Sequence, residues 1–84
     1  MKTVYYTQGT CSREIELEME GGIVKSVRFQ GGCHGNLQGI ARLVEGMPAE
    51  EVIRRLNGIR CGMKPTSCPD QLCRAIEQQM AGGR

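Results

Sequence analysis

Tryptophan is absent from this 84-residue chain, and one phenylalanine and two tyrosines are its whole aromatic complement. At this length only about 60 to 65% of the unfolded surface is buried on folding. A core without large aromatics is therefore thin, and small domains of that kind often add a cross-link or a structural metal. No apolar run approaches the roughly 20 residues of a membrane span, so a membrane is not an expected partner. The polar-interrupted T-V-Y-Y-T-Q-G-T after Met1-Lys2 does not read as a secretory signal, and the expected location is the cytoplasm. A strong charge of either sign is missing too: 11 basic residues against 9 acidic ones leave +2, too balanced to imply an electrostatic partner. Arg54, Arg55, Arg60 and Lys64 fall close together, yet no basic stripe interleaves with aromatics, so nucleic acid is not an expected partner either. Glycine is plentiful, but neither G-x-G-x-x-G nor G-x-x-x-x-G-K-[ST] occurs, and no Ser, His and carboxylate set suggests hydrolysis.

Against these absences stand five cysteines. In a reducing cytosol an odd number of cysteines reads as metal or redox chemistry rather than as a disulfide framework. The richest stretch runs from Gly58 to Met80. Ser67 is placed as an N-cap, Asp70 three positions on as the reciprocal acid of a capping box, and Pro69 in the first turn, where its missing N–H is harmless. Cys68 thus lies at a helix N-terminus, where unpaired N–H groups and the positive dipole end favour a thiolate.

Upstream, residues 3–8 (T-V-Y-Y-T-Q) are rich in β-branched and aromatic residues and read as a strand, with Tyr5 and Tyr6 as strand packing. Residues 13–20 (R-E-I-E-L-E-M-E) alternate, with Ile15, Leu17 and Met19 on one face and four glutamates on the other, as in a half-buried antiparallel strand. Residues 23–30 return with Val27 and Phe29 on one face. A two-residue Gly21-Gly22 loop would mix the faces. A three-residue loop from Gly21 to Ile23 pairs Leu17 with Val27, Ile15 with Phe29 and Glu16 with Arg28. Carried outward, that register sets Cys11 opposite Cys33 at the open end of the hairpin.

Gly31-Gly32-Cys33 leads into a helix with Leu37, Ile40, Ala41 and Val44 on its apolar stripe and Gly46 at its end. Pro48 starts a second helix with Glu50 and Glu51 in its first turn and Val52, Ile53 and Leu56 inward, stopping near Gly58. Residues 59–66 form a loop carrying Cys61. The last helix buries Leu72, Ile76 and Met80, with Cys73 on the flank of that stripe as a structural thiol. The expected fold class is α+β: one domain over residues 1–84, a three-stranded antiparallel sheet with three helices packed on one face. Both helix starts are expected at the hairpin mouth, so Cys11, Cys33, Cys61 and Cys68 have reason to meet there. Four thiolates in tetrahedral array suit zinc or an iron–sulfur cluster. His34, next to Cys33, reads as a solvated side chain rather than a ligand.

These motifs resemble the TSCPD family, named for the string that stands here as Thr66-Ser67-Cys68-Pro69-Asp70. The resemblance runs from about Gly9 through Met80 and includes G-T-C-S, G-G-C-H-G-N-L-Q-G-I, L-V-E-G-M and I-R-C-G-x-x-x-T-S-C-P-D-Q-L. It implies a small four-cysteine protein, the cysteines falling on Cys11, Cys33, Cys61 and Cys68. It also implies kinship with the C-terminal domain of adenosylcobalamin-dependent ribonucleoside-diphosphate reductase. It does not make this chain a reductase, because that reaction needs a large barrel that 84 residues cannot supply. A fainter similarity is to iron–sulfur cluster scaffold proteins, whose fold the expected architecture resembles, through Cys11, Cys33 and Cys68. Here Arg13 stands where the scaffolds have an acidic residue, Ser67 where they have a histidine, and Cys61 is an addition. A fourth thiolate should close the site, favouring stable metal holding over cluster hand-off. The leading expectation is thus a zinc-binding accessory module that is not an enzyme on its own and acts with another protein. An iron–sulfur scaffold or carrier is the alternative, and a thiol redox protein the second alternative.

Overall fold

The computed structural model describes residues 2–7, 9, 12–32 and 34–82. Three strands, β1 (Lys2–Tyr6), β2 (Ser12–Glu20) and β3 (Ile23–Gly31), form an antiparallel meander in the order β1-β2-β3. Three helices follow: α1 (His34–Val44), α2 (Ala49–Leu56) and α3 (Cys68–Gly82). The alternation of β2 is realised as expected: Ile15, Leu17 and Met19 are buried, while the glutamates between them are half-buried or exposed. Helix α1 packs on β3, and α3 packs on β2 and α2. Ala41, Val44, Ala49, Val52, Leu72, Ala75 and Ile76 close the core over the apolar face of the sheet, with Phe29, Ile40, Ile53 and Leu56 at its margin.

The expected central register holds, since Ile15 faces Phe29, Glu16 faces Arg28 and Leu17 faces Val27. The expected three-residue loop does not. Glu20 pairs with Ile23, so the turn is the two residues Gly21-Gly22, at φ +59° and +79°. Two consecutive left-handed residues match the right-handed twist of the flanking strands, and glycine adopts them without Cβ strain. The one-residue offset is absorbed by a bulge: Met19 pairs with Val24 and Glu18 with Ser26, leaving Lys25 as the extra residue. The bulge resets the alternation, so Val24 and Val27, three apart, both point into the core.

A second shift occurs at the hairpin mouth. Glu14 pairs with Gln30, but Ser12 pairs with Gly31, so Arg13 is skipped. The extrapolation that sets Cys11 opposite Cys33 assumes no such shift; both cysteines lie outside the described residues.

Two other expectations are corrected. Tyr5 packs against the core, but Tyr6 is 71% exposed because it lies on the uncovered face of β1, alongside Glu14. Met80 is 49% exposed. The buried stripe of α3 runs through Leu72 and Ile76 to Gln79, whose side-chain oxygen accepts from the Thr3 hydroxyl at 2.9 Å. That bond ties the end of α3 to the end of the sheet remote from the mouth. Helix α3 therefore begins near the hairpin mouth, as α1 does.

Candidate functional site

The start of α3 is built from buried polar residues. Thr66, Ser67, Cys68, Asp70 and Gln71 are all buried, although three of them precede or open a helix that is otherwise anchored by apolar contacts. Ser67 caps the helix as expected: its Oγ accepts from the Asp70 N–H at 3.2 Å, and its carbonyl accepts from the Gln71 N–H at 2.8 Å.

The Asp70 carboxylate takes a different task from the expected reciprocal capping bond. Its Oδ1 accepts from the Gly58 N–H at 2.8 Å, and its Oδ2 accepts from the Thr66 hydroxyl at 2.5 Å and from Arg74 Nε at 3.3 Å. Thr66 Oγ1 in turn accepts from Gln71 Nε2 at 3.0 Å. Burial by itself raises the Asp70 pKa, yet the Thr66 hydroxyl, the Gly58 N–H and the Arg74 guanidinium together outweigh it and hold the carboxyl below its ordinary value. No buried side-chain nitrogen or oxygen among the described residues lacks a partner. One carboxylate thus fastens Gly58 and Thr66, the two ends of the segment that carries Cys61.

Inside that segment the Cys61 N–H donates to the Thr66 carbonyl at 3.1 Å, and the Lys64 N–H donates to the Cys61 carbonyl at 3.0 Å. The backbone of Cys61 is thereby held against the residue two before Cys68. Cys61 is exposed and Cys68 buried, and both are thiols rather than disulfides.

Gly9, in the connection between β1 and β2, reaches the same place. A Cβ built on it would lie 3.2 Å from Thr66 Cγ2, and its φ of +75° is one that L side chains rarely adopt. Thr7 N–H donates to the Arg13 carbonyl at 3.1 Å, closing the connection between β1 and β2. Thr66 thus meets Gly9, two residues before position 11, and the backbone of Cys61, and it stands two residues before Cys68; separately, Ser12, next to position 11, pairs with Gly31, two residues before position 33.

Of the four expected metal ligands, Cys61 and Cys68 are described, and Cys11 and Cys33 lie outside the described residues. Among the described residues no three His, Cys, Asp or Glu side chains group so as to hold a metal ion. His34 is exposed, with the Gln38 side-chain nitrogen 3.1 and 3.2 Å from its two ring nitrogens. Cys73 is fully buried, deeper than the flank position expected, and its Sγ lies 3.7 Å from the Val52 carbonyl and 3.9 Å from that of Ile53. Burial, reinforced by the Asp70 and Glu77 charges, pushes its thiol up to about 12. That agrees with a structural thiol. Neither Thr66 nor Gly9 is an expected site residue; the signal for Thr66 is that a Thr-x-x-x-Asp spacing at a helix start allows hydroxyl and carboxylate to meet.

A family model, the TSCPD domain, matches residues 1–80. Comparison with curated proteins and with solved structures gives no match.

Proposed function

The chain belongs to the TSCPD domain family, and from that premise we propose that it is a small metal-binding accessory module whose ion, zinc, is held by the thiolates of Cys11, Cys33, Cys61 and Cys68. The observation that supports this reading is the linkage at Thr66. The Cys61 backbone, Gly9 and the start of α3 meet there, and the hairpin mouth is joined to Gly9 through the closed β1–β2 connection. An all-sulfur donor set suits a soft or borderline metal, and zinc closed by four thiolates is structural rather than catalytic. When bound, zinc would supply charge neutralisation and a cross-link between the sheet and the start of α3. The protein's own contribution is the Asp70 carboxylate, which holds both ends of the Cys61 loop in the folded state.

Zinc in sites of this kind contributes about 10 to 16 kcal/mol of apparent binding energy. A typical domain has about 5 to 15 kcal/mol of stability in all. Metal therefore decides whether so thin a core stays folded. Function then lies in presenting a stable surface to another protein, consistent with kinship to a reductase's C-terminal domain. The test is to purify the untagged protein anaerobically, measure metal by mass spectrometry, and follow circular dichroism on chelation. One zinc per chain and loss of structure on its removal are expected. A metal-free protein that stays folded with titratable thiols would reject the proposal, and a brown protein with acid-labile sulfide would replace zinc by an iron–sulfur cluster.

A further inference from the structure

The segment that carries Cys61 is entered through Asn57-Gly58, and of the chain's two asparagines Asn57 is the one that precedes a glycine. That pairing is chemically unstable in water. The backbone nitrogen after an asparagine, once it loses its proton to hydroxide, attacks the side-chain amide carbon and closes a five-membered succinimide; glycine, with no Cβ, hinders the attack least. Asn57 and Gly58 are both exposed, so water and hydroxide reach them.

The fold nevertheless holds the two reacting groups apart. Asn57 is the C-cap of α2, its N–H donating to the Ile53 carbonyl at 2.9 Å. Ring closure needs the Gly58 nitrogen eclipsed with the Asn57 Cβ, whereas the Asn57 ψ of +134° turns that nitrogen more than a right angle away. The proton that the nitrogen must lose is donated to Asp70 Oδ1 at 2.8 Å, and the carboxylate is itself fixed by the Thr66 hydroxyl and Arg74. Both obstacles have one origin. While Asp70 grips the Gly58 N–H, the peptide plane between residues 57 and 58 cannot turn toward the Asn57 side chain.

We propose that Asn57-Gly58 is a deamidation site gated by the Asp70 clamp: inert while the clamp is closed, reactive when it opens locally, and holding it open once modified. In the step, the Gly58 nitrogen bonds to Asn57 Cγ, the bond from Cγ to Nδ2 breaks, and ammonia leaves with a proton from water. A second water opens the ring at either carbonyl, so the balance is asparagine plus water to aspartate or isoaspartate plus ammonia, with no other reagent. The new carboxylate lies at the C-terminus of α2, where the helix dipole disfavours an anion, and beside the N–H that the Asp70 carboxylate holds. Isoaspartate also adds a methylene to the main chain, which displaces Gly58. A transient opening of the Cys61 segment thereby becomes a lasting one, whatever Cys61 binds.

The test incubates the full chain at pH 8 and follows its tryptic peptide, residues 56–60, by mass spectrometry, where conversion adds one mass unit and isoaspartate elutes apart from aspartate. The native chain should convert at least tenfold more slowly than the chain unfolded in urea. Folded Asp70→Ala should convert at least threefold faster than Val27→Ala, a core variant in the sheet, compared at the same unfolded fraction. In Asn57→Asp, hydrogen exchange at the Gly58 amide should quicken at least tenfold while the Leu17 amide of the central strand keeps its protection. Equal rates in native and unfolded chains overturn the proposal, and they do so without Asp70→Ala should that variant not fold. Parity between Asp70→Ala and Val27→Ala overturns it too, since global unfolding would then be the gate. So does unaltered Gly58 exchange in Asn57→Asp, which would leave the modification without effect on the clamp.

Discussion

Cys73 and Cys61 are the same chemical group in opposite surroundings, and their reactivity should divide accordingly. Under the zinc proposal a thiol reagent at pH 8 should leave both unlabelled in the native protein, Cys61 because zinc holds its thiolate and Cys73 because it is buried, and should label Cys61 once a chelator removes the metal. The shift also has a thermodynamic sign. A thiol whose folded pKa is raised to about 12, against about 8.5 unfolded, contributes stability that is complete below pH about 8.5 and is lost as pH rises toward 12. Urea denaturation at pH 7 and pH 10 should therefore show an alkaline loss that is smaller in Cys73→Ala, a substitution that itself costs about 1 kcal/mol at pH 7. Asp70 belongs to the same scale. Asp70→Ala strips the acceptor from the Gly58 N–H and the Thr66 hydroxyl, and the urea midpoint should report a loss of about 1–3 kcal/mol.

The hairpin shows how an element reconciles two local demands. Gly21-Gly22 favours a two-residue turn, while the apolar pattern of β2 and β3 requires a register that such a turn alone does not give; the bulge at Lys25 satisfies both. Deleting Lys25 leaves Met19 opposite Val24 and Glu18 opposite Ser26 as adjacent pairs, so that variant should fold with a midpoint close to the parent. Deleting Arg28 moves Phe29 to the opposite face of the strand and breaks the Ile15–Phe29 pair. Thermal unfolding monitored by circular dichroism should show the Arg28 deletion losing its cooperative transition. The nearby Lys25–Glu20 contact, 4.0 Å and exposed, is too weak to alter either outcome.

At the scale of the whole molecule, the meeting of Gly9 with Thr66 joins the first quarter of the chain to the last helix. Gly9→Val combines a strained positive φ with a side chain already 3.2 Å from Thr66 at its first carbon, so it should destabilise the fold by about 1–2 kcal/mol. Under the zinc proposal the same substitution separates the segments that bear the thiolates. Competition with a chromophoric chelator should then show weaker zinc retention in Gly9→Val than in an exposed control such as Gly35→Ala, where an added Cβ meets nothing.

Local pattern by itself determined the strands, the helices, the central hairpin register and the cap at Ser67, because alternation, helical periodicity and capping chemistry act between residues near in sequence. The family, too, was legible, in short motifs spread along the chain. Tertiary structure alone decided the rest. It turned the Asp70 carboxylate from its own helix toward Gly58, exposed Met80 in favour of Gln79, moved the register shift from the turn into the strand, and set Gly9 against Thr66. Each of these depends on which distant segment happens to lie alongside, and on the requirement that every polar group it buries finds a partner.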